Sequence, residues 1–153
     1  MLETGSLAPD MVLEDTTGKR VRLADFRGAH PVLVYFTRSI TCAVCNRHIR
    51  DLVARADEFA AADVRVLIAV PEDRAAATPW KAKHRIPFPV LTARDDTPHE
   101  MVGLTRKLFG AMQQSGSILV DAQGRIRHGH AATMPTGAYD RKGITAAIAS
   151  LPS

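Results

Sequence analysis

Cys42 and Cys45 are the two cysteines of this 153-residue chain, and two residues separate them. A C-x-x-C pair beside a strand and helix pattern is the sequence form of a redox-active dithiol. Its chemistry is thiolate attack followed by disulfide closure, because two sulfurs one helical turn apart can bond without large backbone movement. A free thiol titrates near pH 8.5, and a helix N-terminus or a nearby cation lowers that value. Arg38, Arg47, His48 and Arg50 bring positive charge close in sequence. The candidate site is therefore Cys42, Cys45, Arg38 and His48.

Each of these residues has a plainer explanation. The pair could be half of a zinc site, but no second C-x-x-C and no H-x-x-x-H follows it. His48 lies off the Ile49, Leu52, Val53 stripe, where a surface helix residue is the ordinary reading and a base beside Cys45 the sharper one. His128 and His130 form H-x-H on a strand, with both rings on one face, which is more often a solvated edge than a metal ligand pair. Trp80 reads as a packing residue and Phe88-Pro89-Val90 as a strand entry. No metal and no cofactor is expected.

The elements that must position the pair follow from periodicity. Met11 to Leu13 and Arg20 to Leu23 flank the turn signal Asp15-Thr16-Thr17-Gly18, predicting an N-terminal antiparallel hairpin. Val32 to Phe36 is continuously apolar, as a strand covered on both faces must be. From Cys45 onward, Ile49, Leu52, Val53, Ala56, Phe59 and Ala60 recur at three and four, predicting an amphipathic helix. Val64 to Val70 follows as a second buried parallel strand, closed by Pro71. A helix around Ala75 to His84, a strand at Phe88 to Thr92 and a helix from about Thr97 to Phe109 come next. Ser117 to Val120 and Arg125 to His130 flank Asp121-Ala122-Gln123-Gly124 and predict an antiparallel hairpin, with a closing helix from about Gly137 to Ser150. The result is an α/β, thioredoxin-like fold: a mixed central β-sheet flanked by helices, with an N-terminal β-hairpin extension.

Composition sets the outer bounds. With 46% hydrophobic and 24% charged residues, the chain is an ordinary globular protein, read as one domain over 1–153. The net charge of +4 is spread without a basic block, so no nucleic-acid partner is expected. No apolar run approaches a membrane span and no secretory leader pattern opens the sequence, so we expect no membrane association and a cytoplasmic location.

Several stretches together resemble the peroxiredoxin and thioredoxin-like superfamily, in particular its alkyl hydroperoxide reductase/thiol-specific antioxidant branch. Gly5, Ala8-Pro9-Asp10-Met11, Leu13, Asp15 and Gly18, then Leu23 and Asp25-Phe26-Arg27-Gly28, are similar to that branch's opening. Val32-Leu33-Val34-Tyr35-Phe36 is similar to its first central strand. Phe88-Pro89-Val90-Leu91-Thr92 and Ile118-Leu119-Val120-Asp121 with Gly124 and Ile126 are similar to later ones. The segments Thr37-Arg38-Ser39 and Pro135-Thr136-Gly137-Ala138-Tyr139 resemble a bacterial peroxiredoxin-like group with C-x-x-C.

Peroxiredoxins carry P-x-x-x-T-x-x-C, ending in the cysteine that attacks peroxide. Laid on this chain without gaps, that cysteine is Cys45, the threonine position holds Cys42 and the proline position holds Arg38. The thioredoxin likeness reverses the roles, with Cys42 as nucleophile and Cys45 resolving. The arginine of peroxiredoxins, or the cis-proline of thioredoxins, would sit near Ser115, where neither occurs; Arg125 or Arg127 would have to stand in. The resemblance implies a thiol-dependent oxidoreductase with antioxidant activity: Cys45 is oxidised by a hydroperoxide, condenses with Cys42, and an external dithiol such as a thioredoxin-type protein reduces the disulfide. The alternatives are a protein disulfide reductase acting through Cys42, and a non-enzymatic redox-sensing or metal-binding module. The family also suggests a homodimer.

Overall fold

A computed structural model describes residues 3–93, 97–107 and 112–151. The chain opens with the expected hairpin, β1 (Val12–Asp15) and β2 (Arg20–Arg22). Its turn is pinned by the Asp15 carboxylate, whose Oδ1 accepts from the backbone N–H of Thr17 at 2.9 Å and of Lys19 at 3.0 Å. Gly18 there takes φ +86°, a left-handed conformation costly for any residue with a Cβ.

β3 (Val32–Phe36) leads to α1 (Ala43–Ala54), α2 (Ala56–Ala61) and β4 (Arg65–Ala69). Then come α3 (Arg74–Lys83), β5 (Val90–Thr92) and the single turn α4 (Pro98–Met101). The chain closes with β6 (Arg106–Lys107), β7 (Met112–Gln113), β8 (Ser115–Val120), β9 (Ile126–Ala132) and α5 (Arg141–Ala149). Seven strands make one sheet in the order β2-β1-β5-β4-β3-β8-β9. β3, β4 and β5 run parallel; β8 returns antiparallel to β3, β9 antiparallel to β8, and β1 antiparallel to β5. This is the mixed, helix-flanked sheet of the thioredoxin fold, and the N-terminal hairpin extends it at one side.

β3 lies inside the sheet and every residue of it is buried. Its side chains alternate between two cores, as strand geometry requires. Leu33 and Tyr35 face Ile49 and Leu52 of α1, Phe59 of α2 and Ile144 of α5. Val32, Val34 and Phe36 face Leu67, Leu91, Leu104 and Ile118 on the other side. Both cysteines belong to the first of these cores.

Several boundaries depart from expectation, among them the helix expected through Ala60, which breaks at Arg55 into α1 and α2. The helix expected over Thr97 to Phe109 is helical only from Pro98 to Met101. Gly103 turns the chain at φ +79°, and Arg106–Lys107 pairs as strand with Met112–Gln113; Leu108 and Phe109 lie outside the described residues. The closing helix starts at Arg141, where Asp140 caps it by accepting from Gly143 N–H at 3.1 Å, and Pro135–Gly137 forms a separate 3₁₀ turn. The helix expected from Cys45 begins at Ala43, because Cys42 itself is its cap. No helix among the described residues is long and apolar enough to cross a membrane.

Candidate active site

Parallel strands deliver their C-terminal ends to one rim of the sheet, and β3 ends there in the loop that leads to Cys42 at the cap and Cys45 in the first turn of α1. The loop is tied down residue by residue. Thr37 N–H donates to Ala69 O at 3.0 Å, and Thr37 O accepts from the buried His99 Nε2 at 2.5 Å. Ile40 N–H donates to both Glu72 carboxylate oxygens at 3.2 and 3.3 Å, while Asn46 Nδ2 donates to Ile40 O at 3.2 Å.

Cys42 then does what Ser, Thr, Asp or Asn does at other helix starts. It takes the extended conformation of an N-cap, φ −74° and ψ 107°, and its Sγ accepts from Cys45 N–H at 3.2 Å. An acceptor at that place gains from negative charge, since it faces the unpaired N–H groups and the positive end of the helix dipole. Cys45 sits one turn in, where its Sγ accepts from Arg38 N–H at 3.4 Å. Both are free thiols.

The two sulfurs share one electrostatic problem and divide it unequally. Burial pushes the Cys42 thiol up, but the Cys45 thiol and N–H and the Arg38 guanidinium outweigh it, so its pKa falls below the ordinary thiol value. Burial and the neighbouring Cys42 sulfur push Cys45 up to about 11, against the Arg38 N–H and the Tyr35 hydroxyl. Cys45 is 0% exposed and Cys42 2%. Cys42 is thus the sulfur that ionises more readily, and it lies between the exposed residues Thr41 and Ala43.

Of the four expected site residues, Arg38, Cys42 and Cys45 come together. Arg38 Nε is buried and has no hydrogen-bond partner among the described residues, which leaves donor capacity beside the sulfurs. His48 is one step removed: its Nδ1 lies 2.8 Å from the hydroxyl of Tyr35, and Tyr35 shares the buried core with Cys45, whose pKa its hydroxyl lowers. Burial and Arg47 lower the His48 pKa, opposed by Asp51. Its ring also packs on Tyr139, 5.2 Å between centroids. Tyr139 donates to Asp51 Oδ2 at 2.7 Å and accepts from Arg55 Nη1 at 3.0 Å, so the Pro135 to Tyr139 segment is stitched to α1.

Tyr35 and Tyr139 were missed in the sequence. Tyr35 was readable in principle, because a tyrosine in a strand buried on both faces must bring its hydroxyl to a partner. Other expectations fall elsewhere. β8 runs antiparallel to β3 and pairs Val120 with Val32, so Asp121 lies at the rim opposite the sulfurs. Arg127 is bound there to Asp121 at 2.6 Å and Arg125 to Gly5 O at 3.0 Å, so neither stands in for the missing arginine. Ser115 is fully buried, and the described residues contain no cis peptide bond. His128 and His130 do stand on the edge strand, rings 6.5 Å apart; His130 Nε2 meets Gly137 O at 2.6 Å, while His128 Nε2 is buried 3.6 Å from Asp140 with no hydrogen-bond partner among the described residues. Trp80 is packed in the core. The described residues hold no cluster of three or more metal-ligating side chains.

Comparison with known proteins agrees with this geometry. A family model described as the AhpC/TSA family matches residues 4–129. The peroxiredoxin Bcp of Bacillus subtilis (strain 168) is 27% identical over 133 residues, covering 82% of each chain. A chloroplastic peroxiredoxin Q of Oryza sativa subsp. japonica is 27% identical over 124 residues, 81% of this chain but 57% of the relative. The chain therefore spans little more than half the length of its plant relatives. Among solved structures, the peroxidoxin BcpB of Mycobacterium tuberculosis superposes with a TM-score of 0.83 at 19% identity, covering all of both chains.

Proposed function

The chain belongs to the AhpC/TSA family, and from that premise we propose that it is a thiol-dependent peroxidase reducing a hydroperoxide through a Cys42/Cys45 dithiol–disulfide cycle. The observation that carries the reading is the placement of both sulfurs on one turn at the tip of α1, with Cys42 as the acceptor of Cys45 N–H.

In the first step the Cys42 thiolate attacks the terminal peroxide oxygen and the O–O bond breaks. The sulfur becomes a sulfenic acid, and the leaving alkoxide takes a proton to depart as alcohol. The Arg38 guanidinium beside Cys42 holds the thiolate and faces the departing negative charge. Cys45 then attacks the Cys42 sulfur, releases water and closes the disulfide; since one turn separates the two, α1 need not unwind. A thioredoxin-type dithiol attacks the Cys42 sulfur, which is flanked by the exposed residues Thr41 and Ala43, and restores both thiols. The redoxin unit is taken to span 1–153 and to work in a reducing compartment such as the cytoplasm.

The depressed pKa supports Cys42 for the attacking role that the resemblance gives to Cys45. A second reading keeps the pair and reverses the roles, favoured by Arg38 N–H donating to Cys45 Sγ, the position that resembles the peroxiredoxin attacking cysteine. Cys42→Ser and Cys45→Ser variants, each given one equivalent of peroxide and trapped with dimedone, separate the two by peptide mass. The proposal expects a labelled Cys42 in Cys45→Ser and a reaction slowed at least about tenfold in Cys42→Ser. Label on Cys45 alone reverses the assignment. Full peroxide turnover in both variants ends the dithiol-cycle reading.

A further inference from the structure

Cys45 presents a problem that the cycle must solve twice per turnover. Its thiol is fully buried in an apolar core, yet it must lose a proton each time the disulfide forms and regain one each time it is reduced. Arg38 N–H touches this sulfur, but an amide is a donor that cannot take the proton away. Cys42 cannot hold it either, since that sulfur is the one under attack.

Among the described residues, Tyr35 is packed in the same buried core as Cys45, its hydroxyl acts on the Cys45 thiol, and that hydroxyl lies 2.8 Å from His48 Nδ1. With Tyr35 donating, the proton of the neutral imidazole sits on Nε2 and Nδ1 is free to accept. We propose that Tyr35 and His48 form a proton relay that serves the buried Cys45 thiol, which rests on the dithiol cycle proposed above. As Cys45 attacks, its proton passes to the Tyr35 oxygen while the Tyr35 proton passes to His48 Nδ1. The sum is Cys45–SH plus neutral His48 giving Cys45 thiolate plus imidazolium, with tyrosine unchanged. His48 is half-buried, so the imidazolium discharges its proton to solvent; on reduction the same steps run backwards.

The surroundings suit a residue that must be neutral before it acts. His48 is faced by Tyr35 from β3, by Tyr139 from the segment before α5, and on α1 by Arg47 and Asp51. Arg47 and burial oppose the charged ring, while Asp51 is engaged by Tyr139 and Arg141. His48 is accordingly a neutral acceptor at pH 7 that can still be protonated transiently.

A test independent of peroxide uses glutathione disulfide. The Cys42 thiolate attacks it, giving a mixed disulfide and one glutathione thiolate; Cys45 then attacks Cys42, closing the internal disulfide and expelling the second. Acid quenching and intact mass follow the mixed disulfide in wild type, Tyr35→Phe, His48→Gln and the double variant. The relay expects each single variant to lengthen the mixed-disulfide lifetime about 10- to 100-fold, with the double variant no slower than the slower single. The wild-type resolution rate should rise with pH through an inflection below 6.5 that His48→Gln lacks. Alkylation of Cys42 by iodoacetamide, measured with Cys45→Ser added, should be the same with and without Tyr35→Phe. Wild-type resolution in Tyr35→Phe, multiplicative losses in the double variant, an inflection that survives His48→Gln, or alkylation slowed by the same factor would overturn the relay. Normal exchange with glutathione disulfide but no reaction with peroxide would instead sink the peroxidase reading and leave the relay standing.

Discussion

A sulfur in the N-cap position converts a device for starting helices into one for ionising a thiol. The usual capping oxygen satisfies an N–H and contributes about 1 kcal/mol of stability; Cys42 satisfies the same N–H, and the gain favours its thiolate form. Arg38 is the side chain that should matter most to this gain besides Cys45, since its guanidinium is paired with the Cys42 sulfur. Arg38→Met should raise the Cys42 pKa and slow its alkylation by iodoacetamide at pH 7 about three- to thirtyfold, with Arg38→Lys in between. Equal alkylation rates across pH 6 to 9 for all three proteins would show that the guanidinium is a bystander. Cys45 has the opposite sign. Its pKa of about 11 favours the protonated thiol in the folded state, so its share of stability is present below the ordinary thiol value and fades as pH rises towards 11.

At the scale of elements, the pair works because neighbouring strands leave no freedom to the loop between β3 and α1. Gly116 on β8 pairs with Phe36, the last residue of β3, and with Ala131 on β9. A Cβ at 116 would stand 1.9 Å from His130 O, so Gly116→Ala must push β9 away from β8. We expect a loss of about 1–3 kcal/mol in urea unfolding, together with slower disulfide closure; an unchanged midpoint would mean the strands yield freely. Much of this framework was legible beforehand. The apolar run Val32 to Phe36, the α1 stripe and the two turn signals each obey one period, and one period decides one element. The segment after Thr97 misled because Met101, Val102 and Leu104 imitate a helical face, whereas Gly103 in a left-handed conformation ends the helix after one turn. At the site, C-x-x-C named itself and the adjacent cations could be guessed. Tyr35 could not be joined to His48, thirteen residues on, until the crossing of β3 and α1 fixed which faces meet.

For the whole molecule, one buried histidine links the active-site rim to global stability. His99 is 0% exposed, packs edge-on against Phe36 at 5.3 Å between centroids, and donates to Thr37 O at the base of the cysteine loop. Burial lowers its pKa to about 4. The folded state therefore favours the neutral ring, and the contribution is complete above 6.5 and disappears as pH falls towards 4. A fall from 6.5 to about 4 corresponds to roughly 3 kcal/mol, a sizeable fraction of a small domain's stability. Unfolding free energy should fall over that interval in the wild type and stay flatter in His99→Gln; parallel curves would assign the acid sensitivity to other groups. The outermost strands carry a different consequence. β2 is three residues long with arginines at both ends, and β9 carries Arg127, two imidazoles and a glycine along its free side. Neither margin offers the flat greasy ribbon on which another chain could zip, so molecules jostling at high concentration should slide past one another instead of seeding fibrils.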